Sequence, residues 1–366
     1  VRGGRRLSLP LAIVGASFRD VPTRLRARLQ QLDEGEASPS AQLKEGGHVQ
    51  GIARIVTCSR VEWVMSATTP DYAASMLMSA LAVRVPEATL TLHSKHGVPA
   101  ANYLFRVVLG LDSVAEGESA VGRQVLTGFA NAHKKSTTDN VLRQVWKQTE
   151  TLIHQRREEG AAVPAAGIQM LVVAALLEVA TPDTAVVVWG LGEVGRATMR
   201  ALARNGFTNV TGCKRGDGAD LERLAKAGAH VVVCTGATSA YLELPPVKGA
   251  RLCIDIGCPS QVLSAPGWER LDLDSLLSGQ GQFLDDSQRS RLNALARAGV
   301  DDLQAALADA ARPSRLMTLE ETRRKYFSET LPALLEDLPR PQAEKLRQSI
   351  ARFAHQMLSA AGASRK

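Results

Sequence analysis

Short apolar runs separated by polar turns dominate the first part of the chain. Leu11 to Gly15, Ile52 to Thr57 and Val61 to Ser66 each read as buried strands. Between them Leu25 to Leu32 has helical spacing, and Glu34 to Gly47 is polar enough for a loop. Asp71 to Val85 sets Met76, Leu77, Leu81 and Val83 on a helical pattern. That spacing recurs from Ala100 to Val125 with a break at Gly110, then in helices over Asn140 to Glu159 and Gly167 to Ala180. Glycines and Pro164 between the last two mark a hinge near Gly160 to Gly167.

Beyond the hinge the pattern alternates. Ala185 to Val188, Val210 to Cys213, His230 to Cys234 and Leu252 to Ile256 are strand-length runs, and Arg196 to Asn205 reads as a helix. Alternating strands and helices predict a doubly wound sheet. So few residues separate Arg215 from His230 that one helix–strand unit of the usual dinucleotide domain is expected to be missing. After Gly281 the chain turns to charged amphipathic helices, Ser287 to Ala311, Thr318 to Glu336 and Pro341 to Ala361. Such helices have little core of their own, so a partner subunit is expected to cover their apolar stripe.

Composition narrows the class. At 366 residues the chain exceeds one core, and 45% hydrophobic with 22% charged residues fits a soluble multidomain protein. The net charge of +7 favours a polyanionic partner by long-range attraction. Cys58, Cys213, Cys234, Cys253 and Cys258 show no close pairing, which fits free thiols in a reducing cytoplasm. No apolar run approaches the ~20 residues a membrane span needs. The stretch Leu9 to Ala16 after Arg5-Arg6 has the outline of a secretion signal. It passes straight into Arg19-Asp20, however, and reads better as a first strand. His93 and His96 lack a third ligand at sensible spacing, so a surface loop is expected there and no metal site. His133 and His154 read as surface or interhelix residues, and Lys134-Lys135 and Arg156-Arg157 as solvated faces.

Two motifs carry chemistry. Gly190-Leu191-Gly192-Glu193-Val194-Gly195 follows a strand and opens a helix, the context a dinucleotide fingerprint needs. Its glycines permit the tight turn, the approach of the pyrophosphate and close helix–strand packing. At the end of the next strand Lys214 and Arg215 stand where an acidic residue would grip a ribose hydroxyl, so NADPH is favoured over NADH. Cys58 lies at a strand end between Thr57 and Ser59, with Arg60 expected on the same face to stabilise a thiolate or hold a carboxylate. From these residues alone, a nucleophile and a small buried hydrophobe remain equally open.

Thr57-Cys58-Ser59-Arg60-Val61-Glu62, Gly110-Leu111-Asp112-Ser113 with Gly117-Glu118, and the 190–195 glycine motif together resemble glutamyl-tRNA reductase. So do Asp255-Ile256-Gly257-Cys258-Pro259 and the terminal helices, and the resemblance runs from about Leu11 to Ser359. It implies an α/β multidomain protein with three parts. These are an α+β N-terminal catalytic and substrate-binding domain over 1–160, a Rossmann-like NADP-binding domain over 161–280 and a C-terminal helical dimerisation arm over 281–366. It further implies a cytoplasmic homodimer in which Cys58 attacks the ester of glutamyl-tRNA. NADPH then reduces the thioester to glutamate-1-semialdehyde, the first step of tetrapyrrole (porphyrin) biosynthesis. Thr57, Ser59, Arg60, Ser113, Glu118 and Gln124 fall at the family's substrate-contacting positions, and the matching aminotransferase is a candidate recipient of the aldehyde.

The chain departs from the family at several points. Ser59 replaces Asn, Ser119-Ala120 replaces Pro-Gln, Tyr103 replaces a histidine and Phe18-Arg19 replaces His-Lys. These departures motivate two other expectations. One is a catalytically degenerate paralogue that binds tRNA or nucleotide as a regulator; the other is a reductase of a different aminoacyl group.

Overall fold

Leu11–Ser17 (β1) is buried along its whole length because helices cover both faces of its sheet. Around it lie Gly51–Val56 (β2), Arg60–Ser66 (β3) and His93–His96 (β4), in the order β2-β3-β1-β4 with antiparallel pairing. Thr23–Gln31 (α1), Pro39–Glu45 (α2) and Pro70–Arg84 (α3) lie toward one side. There Ala12, Val14, Val61, Trp63 and Met65 join an apolar core. Gly97–Val108 (α4), Ala120–Lys134 (α5) and Asn140–Glu158 (α6) pack on the other. The structure is a computed structural model. It describes residues 9–32, 38–88, 90–158, 167–237, 239–249, 251–278, 284–311, 321–336 and 338–363.

Two expectations for this region change. The polar stretch Glu34 to Gly47 contains α2: Ser38 Oγ accepts the Ala41 amide at 3.2 Å, Pro39 fills the first turn and Leu43 is buried. His93 to His96 is an edge strand rather than a loop, with His93 opposite Gly15. Its four polar residues give no alternation to read, so backbone pairing alone makes it a strand.

Val186–Trp189 (β5), Val210–Cys213 (β6), His230–Val233 (β7), Leu252–Asp255 (β9) and Glu269–Asp272 (β11) form a parallel sheet, ordered β11-β9-β7-β5-β6. Leu242–Glu243 (β8) and Val262–Ser264 (β10) make a small parallel pair beside it. Val186, Val188, Val232 and Ile254 pack with Ile168–Val179 (α7), Glu193–Arg204 (α8) and Leu273–Ser278 (α10). Val187, Trp189, Val231 and Val233 pack with Gly218–Lys226 (α9), so both faces are apolar, as a covered parallel sheet requires. Among the described residues the sheet ends at β6, which accords with the unit expected to be missing. The expected hinge lies outside the described residues apart from Gly167.

The chain divides into two units, Val1–Gln304 and Ala305–Lys366. Within the first, α1 follows Pro22 and has no cap of its own. Asp274 on α10 supplies one, accepting the Thr23 amide at 2.8 Å and hydroxyl at 2.6 Å, with Arg26 Nη2 at 3.2 Å. A carboxylate from the parallel-sheet region thus ties down the first helix of the antiparallel one. Asp286–Ala311 (α11) adds Leu292, Ala296, Val300 and Leu303 to the first unit's interior. The second unit contains a π-turn at Tyr326–Thr330, then Leu331–Leu335 (α12) and Arg340–Ala363 (α13). Leu331 is buried there, whereas Leu334, Leu346 and Phe353 are exposed. No helix among the described residues is long and apolar enough to cross a membrane.

Candidate active site

Cys58 occupies the tip of the β2–β3 hairpin. Thr57 Oγ1 accepts the amides of Ser59 and Arg60, both at 3.1 Å, and the Thr57 amide donates to Arg60 O at 3.0 Å. Thr57 and Ser59 are therefore buried in shaping the turn, while Cys58 is half-buried and faces a cavity of about 380 Å³. Burial, then the Glu118 carboxylate and Cys258, push the thiol up to about 12, with Arg26 opposing. At neutral pH Cys58 is a thiol.

The expected pairing of Cys58 with Arg60 does not form. The alternation of a strand does not carry through a hairpin turn, and Arg60 points into the interior of β3 instead. It donates to Glu62 Oε1 at 3.1 Å, Tyr103 Oη at 3.0 Å and Asp112 O at 2.5 Å. The cation acting on the sulfur is Arg26, fully buried on α1 and held by Val21 O at 2.6 Å and Thr23 Oγ1 at 2.7 Å. Its Nε has no hydrogen-bond partner. One turn on, Gln30 Nε2 donates to Thr57 O at 3.1 Å and approaches Cys258 Sγ at 3.6 Å.

Arg60 belongs to a buried charge network that the sequence did not reveal. Gly15 stands between Glu62 and His93 in register across β3, β1 and β4. A Cβ at Gly15 would sit 2.7 Å from Glu62 Cγ and 2.4 Å from Val61 O, so only glycine leaves room there. His93 Nε2 reaches Glu62 Oε1 at 3.5 Å over that gap, and its Nδ1 bonds Asp20 Oδ2 at 2.8 Å. Tyr103 closes the network from α4, donating to Glu62 and packing edge-on against His93. Burial opposes every charge in the set but is outweighed. Asp20 and Glu62 hold His93 up at about 9, while His93 and Ser17 hold Asp20 down at about 2. Arg60 keeps Glu62 below the usual carboxylate range. Two cations face two carboxylates, which is what makes the burial tolerable. Arg60 Nε, Glu62 Oε2, His93 Nε2 and Ser113 Oγ are buried with hydrogen-bonding capacity unfilled.

The turn carrying Ser113 and Glu118 is fixed by Arg156, which is buried rather than solvated. Arg156 donates to Leu109 O at 2.7 Å, Gly117 O at 2.5 Å and Glu118 O at 3.1 Å. Gly110, at φ +81°, packs so closely on Glu118 that a Cβ would come 2.3 Å from its carbonyl oxygen. Burial lifts the Glu118 carboxyl to about 7, against the pull of Arg60 and Arg156. Gln124 is not part of this group. It lines a separate cavity of about 460 Å³ with Arg54, Asn131 and Lys135, and Val56 borders both cavities.

The glycine loop lines the same cavity as Cys58, with Gly192, Glu193 and Val194 beside Thr235 and Gly257. Gly190 turns at φ +104°, with Thr235 and Cys234 crowding its Cβ position. Open space surrounds Gly192, and a Cβ on Gly195 would lie 1.8 Å from Gly190 O. Each glycine thus meets a demand of the fingerprint, and the amides at the start of α8 are left open to a phosphate. Leu191 packs toward Gly212, and Glu193 pairs with Arg123 at 2.8 Å. Arg215 stacks 4.6 Å over Tyr241, which accepts from Trp189 Nε1 at 2.9 Å. The Lys214 amide donates to Asp217 at 2.7 Å, leaving both basic side chains exposed at the end of β6. These residues fit a phosphorylated dinucleotide. Asp255 gathers the amides of Gly257, Gln261 and Val262 at 2.7–3.0 Å and so sets the turn bearing Cys258.

Residues 14–159 match the protein-family model described as "Glutamyl-tRNAGlu reductase, N-terminal domain". A glutamyl-tRNA reductase of Exiguobacterium sibiricum is 23% identical over 90% of this chain and 82% of its own length. One from Thermus thermophilus is 27% identical over 70% of this chain and 68% of its own. Among solved structures, the glutamyl-tRNA reductase from Methanopyrus kandleri aligns with 96% of this chain at 20% identity and a TM-score of 0.46.

Proposed function

Through its N-terminal domain the chain belongs to the glutamyl-tRNA reductase family, and from that membership we propose that it reduces glutamyl-tRNA to glutamate-1-semialdehyde through a thioester on Cys58. One observation carries this reading: the Cys58 hairpin and the dinucleotide glycine loop line a single cavity. An acyl group captured on the sulfur would face the place where a hydride donor docks.

The residues divide the work as follows. The Cys58 thiol needs a proton acceptor before it can attack, since burial keeps it protonated. Glu118, poised near neutrality and the strongest charge felt by the sulfur, takes that proton as the S–C bond forms. It returns the proton to the ribose oxygen as the ester bond breaks, so thiol and ester become thioester and alcohol. The buried Arg26 guanidinium, the cation that opposes the upward push on this thiol, would hold negative charge developing at the sulfur. The unfilled polar atoms of Arg60, Glu62, His93 and Ser113 support recognition of the glutamyl group by this cluster. NADPH, held by Gly190, Gly192, Gly195 and the Lys214–Arg215 pair, supplies the hydride when bound. The exposed Leu334, Leu346 and Phe353 support burial of the C-terminal helices against a second copy of the chain.

A single-turnover assay with charged tRNA and NADPH tests the reading. Hydride consumption should require glutamyl-tRNA and vanish in Cys58→Ser while the fold persists. NADPH binding without glutamyl-tRNA-dependent turnover would favour the regulatory paralogue, and turnover with a different aminoacyl-tRNA would move the specificity.

A further inference from the structure

Three of the five cysteines, Cys58, Cys234 and Cys258, line the same cavity, and the proposed chemistry uses only one of them. Cys234 is turned away: its thiol donates to Thr198 Oγ1 on α8 at 3.9 Å. Cys258 lies at the side of the cavity where α1 begins, its thiol donating to Thr23 O at 3.9 Å. Gln30 Nε2 contacts both Cys258 Sγ, at 3.6 Å, and the carbonyl oxygen of Thr57, at 3.1 Å. One nitrogen therefore touches the second thiol and the peptide group that leads into Cys58. Both cysteines are half-buried and pack against the same apolar cluster, although they come from different sheets.

We propose that Cys258 is the resolving thiol for Cys58, so that oxidation joins the two as a disulfide across the active-site cavity. The inference rests on Cys58 being the acyl acceptor, because the disulfide would occupy the sulfur that captures the substrate. The oxidant is a peroxide. Glu118 takes the Cys58 proton, the sulfur attacks the O–O bond to become a sulfenic acid, and the departing hydroxide takes up that proton and leaves as water. The Cys258 sulfur then displaces the sulfenic hydroxyl, which leaves with the Cys258 proton as a second water. Two thiols and one hydrogen peroxide give one disulfide and two waters. Arg26 assists either thiolate, since its guanidinium acts on both sulfurs. The bridge would tie the hairpin tip to the turn after β9, a distance that disulfide geometry limits to about 4–7 Å between Cα atoms. It would also spare Cys58 from irreversible overoxidation.

The test treats the full-length protein with hydrogen peroxide, blocks free thiols, digests it and analyses the peptides by mass spectrometry. The expected result is a cross-linked peptide containing Cys58 and Cys258, lost on reduction with dithiothreitol, and two of the five thiols withdrawn from alkylation. In Cys258→Ser the cross-link should be absent and Cys58 should proceed to sulfinic acid. Cys58 sulfinic acid in the wild type, a bridge from Cys58 to Cys234, a bridge between two chains or an unoxidised Cys58 would each overturn the proposal. Glutamyl capture by the reduced protein is scored separately. A protein that forms the cross-link but captures no glutamyl group defeats the functional reading, whereas capture without the cross-link defeats only this one.

Discussion

The two sheets of the first unit build their share of the site in opposite ways. The antiparallel sheet does it with side chains: a glycine gap at Gly15 lets Glu62 and His93 meet, and Arg60, Tyr103 and Asp20 complete a compensated charge network. The parallel sheet keeps both faces apolar and does it with backbone, in a glycine turn at the end of β5. A site made by backbone tolerates almost any neighbour but no Cβ. A site made by side chains tolerates no missing partner.

That contrast predicts an order of damage. Gly195→Ala should be the most severe, because the new Cβ falls 1.8 Å from a carbonyl oxygen and backbone must move. We expect loss of NADPH binding and more than about 4 kcal/mol of destabilisation, read by calorimetry and nucleotide titration. A mild effect would mean that the turn is not rigid. Glu62→Ala should follow, at about 3–5 kcal/mol, because it strands Arg60 as a buried charge and leaves His93 with Asp20 alone. Denaturant midpoints would check it.

His93 makes the same network sensitive to pH. Its folded pKa is raised to about 9 from 6.5, so its contribution is fully present below pH 6.5 and fades as pH climbs through 9. The loss should be about 1–3 kcal/mol, and His93→Gln should flatten the stability profile across that window. Asp20, lowered to about 2, acts in the other direction: its contribution holds above the ordinary Asp value of 3.8 and is lost as pH falls toward 2. The smallest effect belongs to Arg215→Ala, which should raise KM for NADPH about tenfold while leaving NADH unchanged. Equal losses for both cofactors would place Arg215 on the adenine or outside the site.

The same contrast explains what the sequence disclosed. The glycine loop was legible because its requirement is conformational and local, written in three nearby residues. Strands β1–β3, β5–β7 and β9 and the longer helices were legible from their apolar periods, whereas α2, α9, α10, β8, β10 and β11 are too short or too polar to show one. The partners of Arg60 were not, because Glu62, His93 and Tyr103 meet through cross-strand register and a helix packed from elsewhere. Arg26 and Asp274 were equally hidden, since a cap reaching between distant segments leaves no local pattern. Gly15 carried a signal, a glycine amid a buried apolar run, but nothing local said what needed the space. Spacing by two pairs Cys58 with Arg60 only on a continuing strand, and here the chain turns back between β2 and β3. β4 leaves no apolar pattern because its residues are all polar.

Whether the Cys58 sulfur takes an acyl group is best tested by incubating the protein with glutamyl-tRNA in the absence of NADPH and weighing its peptides. A glutamyl residue should appear on the Cys58 peptide and disappear on adding NADPH or hydroxylamine. An unmodified Cys58 peptide, under conditions in which wild-type protein turns over with NADPH, would contradict a thioester pathway.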